Sequence, residues 1–359
     1  FTGYGIEGTA ANGAQFDFSR HFQGKLLANH SGCGMMLNVA KQIKDAVSIP
    51  VGTVTYMDPA HAPKMFEDAL KDGLCDFLLM TRPLTVDPQY VNKLKEKRFD
   101  EIAPCTRCLH CHFDYDEEGK IYEHCRVNAT TQRAYREAMP EGEVPLPAEK
   151  ARKVMVIGGG VAGCEAARVL AVRGHKPELF EKGNRLGGNL IPGGAPEFKE
   201  DDLALAKWYE TQLEILGVPV RLNAEVKKED VTAGGYDAVV VATGSAPKVF
   251  SLGDDGKVYT AAQVLTGEKD CGDETVVIGG GLVGCETALW LAQHGKKVTI
   301  VEALDKLLAV NGPLCHANKD MLERLVPYHG VETVTSARVT GYAEGVLTAV
   351  CGGKERQIP

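Results

Sequence analysis

Two glycine-rich runs repeat one pattern along this chain, and they constrain its fold more tightly than any other feature. KVMVIGGGVAGCEAA (153–167) and TVVIGGGLVGCETA (275–288) each set G-x-G-x-x-G between a short apolar strand and a helix-forming stretch. The first glycine (Gly158, Gly279) permits a sharp turn, and the second (Gly160, Gly281) lets a pyrophosphate approach the backbone. The third (Gly163, Gly284) lets helix and strand pack closely. A second strand follows in each run, Lys176 to Phe180 and VTIVE, and leads into Glu181 and Glu302. A carboxylate there is placed to accept hydrogen bonds from a ribose diol. A lone fingerprint could be a bare glycine-rich turn. Strand, helix and acid together predict two dinucleotide-binding α/β units, an internal repeat of one fold.

Upstream the pattern differs. Met35 to Ala46 and Ala60 to Asp72 have helical periodicity, Ile49 to Thr55 reads as a short apolar strand, and CDFLLM (75–80) reads as a buried parallel strand. This β-α-β alternation suits the end of a TIM-type barrel. Residues 1–34 are rich in Gly, Ala and Phe and take no assignment.

Between these regions lie Cys105, Cys108, Cys111 and Cys125, spaced C-x2-C-x2-C with the fourth 14 positions after the third. Three thiolates on a tight loop plus one remote thiolate can surround a cubic iron–sulfur cluster. Structural zinc is the rival, kept open by His110, His112 and His124, and unligated thiols are the third reading. A helical stretch and the linker MPEGEVPLPAEK then mark a domain boundary.

Bulk properties set limits. With 359 residues there is room for two or three cored domains, and a net charge of -8 offers no basic surface for nucleic acid. No run is long enough for a membrane helix, and no signal peptide opens the chain. The 11 cysteines do not form a secreted disulfide framework, so a reducing cytoplasm is expected. Cys164 and Cys285, each behind the last glycine of a fingerprint, are expected to be buried packing residues. The chain opens at Phe1 without methionine and stops at Pro359, where a further strand is expected, so it is expected to be a fragment.

Beyond Glu181, Arg185-Leu186-Gly187-Gly188-Asn189 and Ala242-Thr243-Gly244 resemble segments lining FAD in flavoproteins with two dinucleotide domains. Glu302 opposes a 2′-phosphate, which suits NADH over NADPH. IPVGTVTYMDP (49–59), DFLLMTRPLTVDP (76–88) and EIAPCTRCLHC (101–111) resemble the seventh and eighth barrel strands and the cluster approach of one family. That family is the Old Yellow Enzyme-related iron–sulfur flavoproteins, including 2,4-dienoyl-CoA reductase, 2-enoate reductase and trimethylamine dehydrogenase.

The resemblance implies an α/β architecture: the C-terminal part of an FMN-binding TIM (β/α)8 barrel (1–104), then a [4Fe-4S] segment and linker (105–150). Two Rossmann-like units follow, an FAD domain (151–270) with an inserted NAD(P)H domain (271–354), and residues 355–359 begin the return to the FAD domain. It puts Thr81 and Arg82 at the FMN phosphate, with a surface arginine as the alternative for Arg82. Two places depart from the family's pattern: Thr55-Tyr56 stands for Gly-Arg, and Thr81 for Gly. The implied activity is NADH-dependent reduction of an activated C=C bond in an enoate, dienoyl-CoA or enone, through FAD, the cluster and FMN. The alternatives are an amine dehydrogenase of the trimethylamine type and an electron-transfer module whose barrel lost its catalytic role. Partners reduce to a small unsaturated substrate and, since such barrels associate, a homo-oligomer. No catalytic residue is assigned. A disulfide reductase is disfavoured, because no redox C-x-x-C or C-x4-C pair adjoins either fingerprint.

Overall fold

The computed structural model describes residues 34, 36–54, 57–108, 110–111, 114–115, 121–122, 125–131, 146–253, 256–309 and 316–358. Expectations for residues 1–33, Thr55-Tyr56, His112, His124 and the stretch 132–145 lie outside the described residues. The chain splits into two compact units, the first ending at Ser245 and the second holding Ala246 onward together with Asp114–Ile121.

The first unit opens with α1 (Leu37–Ala46), β1 (Gly52–Thr53), α2 (Pro63–Lys71) and β2 (Phe77–Leu78). β1 and β2 are parallel, Gly52 opposite Phe77 and Thr53 opposite Leu78, joined by a crossover helix as parallel strands require. Pro63 starts α2 with a preset backbone angle, and Phe66 and Ala69 face inward. Leu37, Ala40, Val51, Ala69 and Cys75 form the small core. The strands are shorter than the sequence pattern predicts, and β2 is not buried: Phe77 and Leu79 are each 47% exposed. A continuous apolar run is buried only when the sheet is covered on both faces, and β2 has one strand neighbour among the described residues. Next come α3 (Arg82–Val86), α4 (Tyr90–Lys95) and a 3-10 turn at Phe99–Glu101.

The first fingerprint folds as predicted into a parallel sheet of β3 (Lys153–Ile157), β4 (Lys176–Phe180), β5 (Val220–Arg221) and β6 (Ala238–Val241), in the order β5-β4-β3-β6. That is one half of a doubly wound nucleotide fold. α5 (Val161–Val172) packs on the sheet through Cys164 and Ala167. α6 (Glu200–Ile215) adds Leu205, Tyr209 and Leu213 to the same core. Its acidic first turn, Glu200 to Asp202, complements the helix dipole.

The second unit repeats the scheme with β7 (Glu274–Ile278), α7 (Leu282–Gln293), β8 (Lys297–Val301), α8 (His316–Tyr328) and β9 (Glu332–Val334), the parallel strands ordered β9-β8-β7. An antiparallel sheet follows, β10 (Ala337–Ala343), β11 (Val346–Cys351) and β12 (Lys354–Ile358). Val301 packs with Ala337, Leu347, Ala349 and Ile358. Residues 355–358 lie in the second unit. They form β12, paired with β11 from Leu347–Ile358 to Cys351–Lys354, because the alternation of β10 and β11 leaves an apolar edge that Ile358 closes.

Candidate functional site: a four-cysteine cavity beside a nucleotide fold

The chain reaches the cysteine segment along a buried carboxylate. Asp87 accepts hydrogen bonds from the backbone N–H groups of Gln89 (3.0 Å) and Ala103 (3.1 Å) and from Lys93 Nζ (2.6 Å). Beyond it, Cys105, Cys108, Cys111 and Cys125 all line one small cavity, together with Arg82, Thr85 and Val127. Arg107, between the first two cysteines, has a left-handed φ of 54°, and its N–H donates to the Cys105 sulfur. The remote Cys125 is brought in by its own loop. Val127 and Asn128 donate N–H to its sulfur at 3.4 and 3.3 Å, and Asn128 Nδ2 donates to the Thr85 carbonyl at 2.9 Å. Amide-to-sulfur bonds of this kind are a main lever by which a protein sets a cluster's potential.

Burial pushes the Cys105 thiol up to about 12, against the opposing charge of Arg82. Burial also raises Cys111 and Cys125, and neighbouring cysteines add to both shifts. These are groups that a metal centre would have to deprotonate on binding. The donor set that lines the cavity is all sulfur, four thiols, which suits a thiolate-bound centre. His110 is buried but is not part of the cavity lining.

The two fingerprints share one construction. A Cβ on Gly158 (φ 107°) would lie 2.3 Å from the Ala242 carbonyl oxygen, and one on Gly163 would lie 1.8 Å from the Gly158 oxygen, so side chains are barred at both. Gly160 has only the Gly188 Cα nearby, at 3.8 Å, which leaves its outer side open. Glu181 caps the loop, accepting from Gly159 N–H and Gly183 N–H, both at 2.6 Å. In the second unit a Cβ on Gly284 would lie 1.8 Å from the Gly279 oxygen, and Glu302 accepts from Gly280 N–H (2.5 Å) and Leu304 N–H (2.8 Å). Gly187 bridges to Gly160, and Thr243 adjoins Gly158, so these candidates gather at the carboxyl ends of β3 and β6. Asn189, which precedes the short helix Leu190–Gly193, is exposed at the surface, as are Arg185 and Gly244. Open sheets of this type bind ligands at that end.

Residues 152–359 match the pyridine nucleotide-disulphide oxidoreductase family. The chain belongs to that family. Its relatives include cinnamate reductase of Clostridium sporogenes, 42% identical over 90% of this chain and 47% of that protein. Another is NADH oxidase of Thermoanaerobacter brockii, 36% identical over 90% of this chain and 48% of that protein. A solved 2-naphthoyl-CoA reductase complex superposes with a TM-score of 0.82 at 28% identity, over 92% of this chain and 49% of that one. The chain therefore spans about half the length of the relatives it matches. These relatives bear out the resemblance to the Old Yellow Enzyme-related iron–sulfur flavoproteins, a group of flavin- and NAD(H)-dependent oxidoreductases.

The family's disulphide label finds no dithiol beside either fingerprint. Cys164 and Cys285 are fully buried, burial pushes each thiol up to about 12, and each donates to a loop carbonyl at 3.3 Å. They are packing residues, as expected. No helix among the described residues is long and apolar enough to cross a membrane.

Sequence reasoning missed the packing behind the cysteine segment. Trp208 on α6 packs against Val86, Ala103 and Cys125, and its Nε1–H donates to the Glu101 carbonyl at 3.0 Å. Asp201, at the start of α6, forms a buried ion pair with Arg107. A signal for Asp201 existed: it stands in the same i+4 stripe as Leu205, Tyr209 and Leu213. A second network joins Tyr90, fully buried, whose hydroxyl donates to Asp58 at 2.7 Å and accepts from Ala60 N–H at 2.7 Å. His61 lies 2.9 Å from the same carboxylate. Burial would lower its pKa, but the hydrogen bond and charge of Asp58, with Asp201 and Asp100 behind, raise it.

Proposed function

We propose that the protein is an NADH-dependent flavin and iron–sulfur oxidoreductase that reduces an activated C=C bond in an enoate, dienoyl-CoA or enone. The observation that carries this reading is one cavity lined by four thiols, on a segment that packs against Trp208 of α6, a helix of the first nucleotide fold. A one-electron centre carried beside a dinucleotide fold is the arrangement needed to pass electrons onward one at a time.

In this reading Cys105, Cys108, Cys111 and Cys125 hold a [4Fe-4S] cluster, and Gly158, Gly160, Gly163, Glu181 and the Arg185–Asn189 and Thr243-Gly244 segments hold FAD. Gly279, Gly281, Gly284 and Glu302 hold NADH. Thr81 and Arg82 belong to a barrel that carries FMN, formed in part by residues 1–104. Bound there, these groups would supply hydride and single-electron chemistry, in the order NADH, FAD, [4Fe-4S], FMN. The chain's own contribution is placement. Amides orient the sulfurs, and the open side of Gly160 admits a pyrophosphate. The Glu302 carboxylate selects a free 2′-hydroxyl by repelling a phosphate. The sum is alkene plus NADH plus a proton, giving alkane plus NAD+.

Cinnamate reductase and 2-naphthoyl-CoA reductase are named for an unsaturated carboxylate and an aromatic thioester. Cinnamate and aryl-CoA esters are therefore the first substrates to try. Anaerobically purified protein should contain FMN, FAD, iron and labile sulfide, and should oxidise NADH only when such an alkene is present. FAD and iron without FMN would leave an electron-transfer protein instead, and amine-dependent reduction without NADH would favour the dehydrogenase alternative.

A further inference from the structure

The first turn of α3 puts a permanent cation where the four thiols meet. Arg82 lines the same cavity as all four cysteines, and its Nη1 is buried. Its position is braced. Pro83 is buried in the first turn, Thr85 Oγ1 donates to the Thr81 carbonyl at 3.0 Å, and the Thr85 carbonyl accepts from Asn128 of the Cys125 loop. Arg107, between the first two cysteines, pairs with Asp201. The resemblance places Arg82 at a flavin phosphate; in the structure the same side chain also lines the cysteine cavity.

We propose that Arg82 tunes the cluster held by Cys105, Cys108, Cys111 and Cys125, its fixed positive charge raising the reduction potential. This rests on the iron–sulfur reading above. Each electron entering a tetrathiolate cluster adds one negative charge. A cation in a poorly solvated cavity stabilises the reduced form more than the oxidised form, because Coulomb energies grow as the local dielectric falls. Lysine should preserve most of the effect and glutamine should remove it.

The test uses the anaerobic holoenzyme, with iron, labile sulfide and acid-released FMN quantified beside an EPR-monitored redox titration. Arg82→Gln should keep its iron and titrate at a lower midpoint potential, while Arg82→Lys stays near wild type. A wild-type potential in R82Q together with lost FMN would overturn the proposal and assign Arg82 to the flavin phosphate alone. A lowered potential that added FMN restores in R82Q would count against it too. If R82Q retains no iron, Thr85→Lys decides, since it adds a cation to the same cavity: an upward shift supports the proposal, and no shift overturns it. A wild-type protein without iron and sulfide would instead sink the iron–sulfur reading, before any variant is compared.

Discussion

Asp201→Ala should destabilise the first unit by about 3 kcal/mol, because removing one partner of a buried ion pair typically costs about 3–5 kcal/mol. The lower figure applies because the pair is not wholly dry: the side chains of Arg107 and Asp201 are 12% and 7% exposed. For a unit of this size that corresponds to a fall in Tm of roughly 6–12 °C. Arg107→Ala should cost a similar amount, and the double variant should cost less than the sum, with a coupling of about 1–3 kcal/mol. Arg107→Gly should be milder than Arg107→Ala by about 1 kcal/mol, since only glycine adopts the left-handed backbone freely, and φ is 54° there. The chain has 2 tryptophans, and Trp208 sits in the interface that the pair closes. Urea unfolding followed by fluorescence in a Trp290→Phe background therefore reports this region alone. Stability of D201A within about 0.5 kcal/mol of its parent, or strict additivity in the cycle, would refute a buried clamp.

Three further outcomes follow from the geometry. Gly284→Ala should abolish flavin reduction by NADH in stopped-flow absorbance while iron and flavin content stay unchanged, because the new methyl would lie 1.8 Å from the Gly279 oxygen. Cys125→Ser should lose most of its iron in a colorimetric assay, whereas Cys164→Ala should keep it and lose only about 1 kcal/mol of stability from packing. His61 gives a pH signature. Its pKa is raised above 6.5 in the folded chain, so its stabilising contribution is complete below 6.5 and is lost as pH rises through the folded value. Asp58→Asn should flatten that part of a Tm-against-pH curve, and an unchanged curve would remove His61 from the account.

The nucleotide folds were legible because the fingerprint is a local packing rule. Gly163 must be glycine since its neighbour is the Gly158 carbonyl five residues earlier, and that constraint is written in consecutive residues. The clustering of the four cysteines was legible from spacing for the same reason. Arg107–Asp201 was not, since 94 residues separate the partners and only the tertiary fold brings them together. The register of Asp201 with Leu205, Tyr209 and Leu213 was a usable hint, masked by the ordinary reading of an acidic first turn. β2 was misjudged for a different reason. CDFLLM reports hydrophobicity, but burial depends on how many neighbours a strand has, and no local pattern encodes that count.

α6 joins these parts into one thermodynamic system. Leu205, Tyr209 and Leu213 hold it in the core of the first nucleotide fold, while Asp201 and Trp208 hold the cysteine segment. A ligand that binds only the native fold stabilises it by RT ln(1 + [L]/Kd). On the proposed reading, a dinucleotide at the Gly158 loop would stabilise the helix whose Trp208 packs beside Cys125, and a centre held by the four sulfurs would stabilise the helix that backs the dinucleotide sheet. Reciprocity would make the two effects equal in free energy. Cluster loss should thus weaken flavin retention, and flavin loss should loosen the thiols, even though no residue need touch both groups. The cysteine segment and the first nucleotide fold share one helix, through Asp201 and Trp208 on one side and Leu205, Tyr209 and Leu213 on the other.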